Sequence, residues 1–95
     1  MNRIINIKIL EFIHDLLLKF WIRKKFDKQI NKLENWIFDN SLNFEKIECK
    51  KWIIFYSFRI DIHYRAYLRK ENWIFIVFDV NNHDYEIIKN KLKSM

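Results

Sequence analysis

Residues 52–88 read WIIFYSFRIDIHYRAYLRKENWIFIVFDVNNHDYEII, and the fold turns on how they alternate. Over 52–60, Trp52, Ile54, Tyr56, Phe58 and Ile60 share one side of an extended chain, and Ile53, Phe55, Ser57 and Arg59 share the other. Over 63–69, His63, Arg65, Tyr67 and Arg69 fall on one side, with Tyr64, Ala66 and Leu68 on the other. The run WIFIVFDV at 73–80 is apolar on both sides, which predicts an interior strand. Asp61 and its neighbours make the first turn, Lys70, Glu71 and Asn72 the second, and Asn81 and Asn82 end the third strand. The polar residues among these strands are mostly arginine, histidine and tyrosine, side chains that handle phosphate and protons.

The preceding half supplies a scaffold. Residues 3–9, RIINIKI, are rich in β-branched isoleucine and predict a short first strand. From Leu10 the period changes: Phe12, Ile13, Leu16, Leu17 and Phe20 form one broad helical face, with His14 and Asp15 off it. His14 is therefore expected on the surface. After a basic break, IRKK at 22–25, a second stripe runs through Phe26, Ile30, Leu33 and Ile37. One straight helix of ~30 residues would be ~45 Å long, too long to pack on so small a sheet. A helix hairpin over 10–39 is expected instead, with Trp21 and Trp36 in the core or between the helices. Residues 40–51 read as a polar linker, and a short amphipathic tail runs from Asp84 to Lys93.

Composition narrows the function classes. Ninety-five residues, about half of them apolar, make one domain spanning 1–95. The chain has no glycine and no proline, which excludes the Gly-rich phosphate loops of Rossmann and P-loop proteins. Turns must then rely on Asn and Asp. The net charge of +6 suits nucleic acid or an acidic protein partner. Cys49 is the single cysteine, so no internal disulfide can form, and a reducing cytoplasm is expected. His14, Cys49, His63 and His83 show no ligand-like pairing, so neither a metal nor another cofactor is expected. Lys8, Glu11, His14, Asp15 and Lys19 interrupt the apolar N-terminal stretch, so no membrane association is expected there.

Strand parity gathers His63, Arg65, Tyr67 and Arg69 on one face, with Arg59 on a hairpin partner. If helices cover the other face, this one is an exposed cationic and aromatic surface suited to phosphodiesters and unpaired bases. Lys50 and Lys51, at the mouth of the second-half strands, are candidate phosphate contacts. His83 follows the end of an interior strand, where a group titrating near neutrality can move protons.

The segments Tyr56-Ser57-Phe58-Arg59, Tyr64-Arg65-Ala66-Tyr67, Ile74 to Val80 and His83-Asp84-Tyr85 together resemble the C-terminal half of the RelE/ParE superfamily of toxin–antitoxin toxins. The wording is closest to the HigB- and RelE-like branches. The first half resembles the family in element order alone. The resemblance implies an α+β fold, β-α-α-β-β-β, with two N-terminal helices on one face of a small antiparallel sheet and a short C-terminal tail. It also implies a ribosome-dependent mRNA endoribonuclease that inhibits translation and is held by a cognate antitoxin.

In the family chemistry a ribose 2′-hydroxyl attacks the neighbouring phosphate without a metal. By position, Arg65 and Arg59 would stabilise charge, His83 would transfer protons and Tyr85 would stand at the family's C-terminal tyrosine. Lys50, Lys51, His63, Tyr67 and Arg69 would contact RNA. The alternative is a non-enzymatic, gyrase-inhibiting ParE-like toxin, or a decayed toxin that retains only antitoxin binding.

Overall fold

Alternating isoleucines extend the chain at Asn6–Ile9 (β1), and the change of apolar period at Leu10 turns it into helix. A computed structural model of the protein describes residues 6–35, 39–50 and 53–82. After β1 come α1 (Glu11–Lys19), α2 (Arg23–Asn35) and a 3-10 turn (Asn40–Leu42). The strands β2 (Glu45–Lys50), β3 (Ile53–Arg59), β4 (Arg65–Glu71) and β5 (Ile74–Asn81) follow. The fold is α+β: two helices packed against a five-stranded sheet of order β1-β5-β4-β3-β2. The expected tail at 84–93, with His83, Trp36, Lys51 and Trp52, lies outside the described residues.

The helix hairpin is present, and its hinge has a specific mechanism. Phe20 ends α1, the Trp21 amide donates to the Leu18 carbonyl at 3.2 Å, and the Ile22 amide donates to the Leu17 carbonyl at 3.0 Å. These two crossed bonds form a Schellman motif, whose left-handed residue is usually glycine. Here it is Trp21, with φ of 59°. Leu17 and Ile22, which flank the motif, are both buried and give it its apolar contact. Trp21 itself, expected in the core, is 92% exposed. The helical period stops at a left-handed residue, so it does not assign Trp21 to the buried face.

Past the hinge, α1 buries Ile13 and Leu17 and α2 buries Phe26 and Leu33. They pack on Phe58, Ala66, Leu68, Val77 and Val80 of the sheet. Aromatic pairs fill the same layer. Phe20 stacks on Tyr64 at 5.0 Å between centroids, and Phe75 meets Tyr56 edge-on at 5.1 Å. Among the described residues, no helix is long and apolar enough to cross a membrane.

Two features of the sheet depart from the expected one. Half of the supposed linker is β2, paired antiparallel with β3 so that Glu45 faces Ser57 and Ile47 faces Phe55. Lys46 and Glu48 are exposed on this edge strand, and such charges guard an open edge against mispairing. They also make an edge strand read as linker. The sheet is mixed as well: β2 to β5 are antiparallel, but β1 joins β5 in parallel, with Asn6 opposite Ile74 and Ile9 opposite Val77. The unbroken apolar run of β5 has its explanation here. It lies between β1 and β4, and a register shift after Asp79 leaves Phe78 as an extra residue. Phe78 thereby joins Phe55 and Tyr67 in a second apolar cluster, apart from the main core.

Asp61 holds the turn between β3 and β4. Its Oδ1 accepts from the amides of His63 and Tyr64, both at 2.8 Å, and its Oδ2 accepts from Lys25 of α2 at 3.2 Å. Partial burial pushes this carboxyl up, but the two amides and Lys25 outweigh it and hold it below the ordinary value. A depressed folded-state value means stabilisation above the unfolded value of ~3.9 that is lost as pH falls through the folded one. Asp61→Ala should therefore cost about 1–3 kcal/mol in urea unfolding at neutral pH. The gap between parent and variant should narrow as the measurement moves to acid pH.

Candidate functional site

β3 and β4 pair so that Arg59 faces Arg65, Ser57 faces Tyr67 and Tyr56 faces Leu68. In a pleated sheet this sets Arg59, Arg65, Ser57 and Tyr67 on the face away from the helices, as the alternation implied. Asp79 of β5 lies opposite Tyr67, Asn81 opposite Arg65, and Glu45 of β2 opposite Ser57. One cross-strand row is thus Glu45, Ser57, Tyr67 and Asp79, and the next holds Arg59, Arg65 and Asn81.

The expected exposure of this face is corrected by the structure. Arg65 is 1% exposed, Tyr67 and Ser57 are fully buried, and Asp79 is 3% exposed. Alternation assigns a side chain to a face; it carries no information on how accessible that face is. Ser57 Oγ accepts from Arg65 Nε at 3.1 Å and from Nη2 at 2.7 Å. Nη2 also donates to the Asn43 carbonyl at 2.7 Å. Arg65 is consequently a clamp between β4, β3 and the segment entering β2. Arg59 opposite it is exposed. Among the described residues no carboxylate makes an ion pair with either arginine.

The other candidates separate. His63 is exposed in the β3–β4 turn, off the strand face, with its amide on Asp61. Arg69 is half-buried further along β4 and pairs with Glu71 at 3.0 Å. Tyr67 packs on Phe55 at 6.1 Å between centroids, so its ring is a core surface, not an open platform. Lys50 lies in β2 opposite Ile53. Lys51, His83 and Tyr85 fall outside the described residues. Among the described residues, no cluster of three or more His, Cys, Asp or Glu could hold a metal.

Several polar residues were missed or differently placed from sequence. Gln29, on the buried side of α2, donates from Nε2 to the Ser41 carbonyl at 3.0 Å and to the Arg59 carbonyl at 2.7 Å. His14, expected on the surface, is half-buried and meets Arg23 through Nδ1, joining the two helices. Asn81 Nδ2 donates to Asp79 Oδ2 at 3.3 Å. The available signals were a lone Asp inside an apolar strand and a lone Ser on the arginine side of β3. Each marks a polar group that a buried sheet tolerates only with a partner.

Comparison with known proteins adds no family to this geometry. The sequence matches no protein-family model and no curated protein.

The clamp has a measurable consequence. Arg65→Ala removes three hydrogen bonds and leaves the buried Ser57 hydroxyl and Asn43 carbonyl to find new partners, a loss of about 2–5 kcal/mol. Arg59→Ala, at an exposed position, should stay within about 0.5 kcal/mol of the parent. Urea denaturation of the two variants checks the contrast; equal stabilities would remove Arg65 from its clamping role.

Proposed function

We propose that the protein is a toxin of the RelE/ParE kind, an endoribonuclease acting in the cytoplasm on mRNA bound to the ribosome and neutralised by a cognate antitoxin. The observation that carries this reading is the pair Arg59 and Arg65, directly opposed on the face away from the helices and without a carboxylate partner among the described residues. Like charges opposed across a ladder destabilise a sheet. A phosphodiester carries negative charge that such a pair attracts, and arginine forks suit its oxygens.

Element order supports the same reading. A first strand, two helices and the antiparallel stretch β3-β4-β5 form the order that the resemblance implies, with β2 inserted ahead of the stretch. In the reaction, a ribose 2′-hydroxyl loses its proton and attacks the adjacent phosphorus. The bond from phosphorus to the 5′-oxygen breaks, that oxygen takes up a proton, and a 2′,3′-cyclic phosphate remains. Arg59, exposed, would meet the phosphate directly. Arg65, held behind it by Ser57 and Asn43, would add its field from the interior, where low dielectric strengthens it. His83 would exchange the protons, and Tyr85 would stand for the family's C-terminal tyrosine. Lys50 and Lys51 would contact flanking phosphates.

Induced expression without a partner should arrest growth, and primer extension should reveal new 5′ ends inside coding regions. Intact mRNA together with accumulating broken DNA would favour the non-enzymatic gyrase-inhibiting alternative. On purified ribosomes with a defined mRNA, Arg59→Ala should slow cleavage about a hundredfold or more. His83→Gln should slow it by about 10²–10⁴-fold, whereas His63→Gln should keep most of the activity. The reverse order for the two histidines would transfer the proton-transfer role to His63.

A further inference from the structure

Three described residues adopt a left-handed backbone: Asn43 with φ of 44°, Asn72 with 56° and Trp21 with 59°. Asparagine tolerates that conformation better than other residues bearing a Cβ, and in a chain without glycine it is the expected choice. Tryptophan is not. Nor does Trp21 regain the cost by packing, since it is 92% exposed at the hairpin tip. Backbone strain combined with exposure of the largest apolar side chain is the kind of cost found at binding sites.

The surroundings indicate what is bound. Leu17, Leu18, Trp21, Arg23, Lys24 and Lys25 line an open pocket of about 650 Å³. Leu18, itself 65% exposed, extends the apolar floor beside the indole, and the cations stand on the α2 side. Arg23 is pre-positioned: its Nε donates to Asp27 at 3.2 Å and its Nη1 contacts His14 Nδ1. Lys25 reaches Asp61 in the β3–β4 turn, which links the pocket to the end of the sheet where Arg59 ends β3.

The geometry points to a nucleotide pocket at the hairpin tip, in which an unpaired RNA base stacks on Trp21 and its phosphate is met by Arg23 and Lys24. Indole faces accept any base, and cations placed at one side hold the backbone that follows it. An anionic bilayer surface would use similar side chains. Asp27 and Asp61 beside the cations reduce the bare charge a bilayer reads, yet they leave directed N–H groups for a phosphate. The pocket adds an RNA contact to the proposed function and does not require cleavage.

The test titrates the full chain with a short, unstructured, fluorescein-labelled oligoadenylate and, separately, with phosphatidylglycerol vesicles. The parent should bind the RNA. Trp21→Asn should weaken binding about 10-fold or more while raising the melting temperature, because asparagine suits the left-handed position. Trp21→Phe should keep most of the affinity, and Lys24→Ala should reduce both affinity and its salt dependence. RNA binding unchanged in Trp21→Asn would overturn the assignment, as would vesicle binding without RNA binding. If mRNA stays intact in induced cells while RNA binding still depends on Trp21, the nuclease reading fails and the pocket stands.

Discussion

The 3-10 turn and the short connection from it to β2 are held from two sides by buried polar side chains. From the helix layer, Gln29 donates to the Ser41 carbonyl; from the sheet, Arg65 donates to the Asn43 carbonyl. Irregular backbone within a fold leaves carbonyls without ladder partners, and each needs a donor. Each donor also bonds β3, Gln29 through the Arg59 carbonyl and Arg65 through the Ser57 hydroxyl. The position of β2 against β3 is therefore set by directed bonds as well as by strand pairing. A buried guanidinium suits this task because it offers several donors in a rigid fork.

The two faces of the sheet are held by different physics. On the helix side, aliphatic and aromatic groups dominate, as where Phe26 packs on Phe58 and Phe44 on Tyr56. Such a core tolerates exchange of similar volumes. On the far side, Arg65, Ser57 and Asp79 are buried beside Phe55, Tyr67 and Phe78. Buried polar groups in low dielectric are strong when satisfied and costly when not, so this face specifies its neighbours closely. The candidate chemistry and the more exacting packing occupy the same face.

Much of the architecture was legible. The helical stripes through Leu17 and Phe26 and the alternation through Phe58 and Ala66 each report one buried side, the feature that periodicity measures. What escaped has physical causes too. β2 carries Lys46 and Glu48 as edge protection, so its composition mimics a linker. The parallel place of β1 is a matter of tertiary pairing that no local pattern encodes. At the candidate site, parity put Arg59 and Arg65 on one face but was silent on their accessibility, which differs between the two. Trp21 escaped because a helical period has no meaning at a left-handed hinge.

The pairing of β1 with β5 joins residue 6 to residue 74 and makes neighbours of the first and last described strands. Closing so wide a loop costs chain entropy before any contact rewards it. Among the described strands β5 is the one that adjoins β1, so in synthesis from the N-terminus this pairing waits for β5 to emerge. Among the described strands, β5 completes the face that carries Arg65 by lying between β1 and β4. What β5 brings to that face is polar and acidic, Asn81 opposite Arg65 and Asp79 opposite Tyr67, whereas the arginines themselves come from the two strands before it.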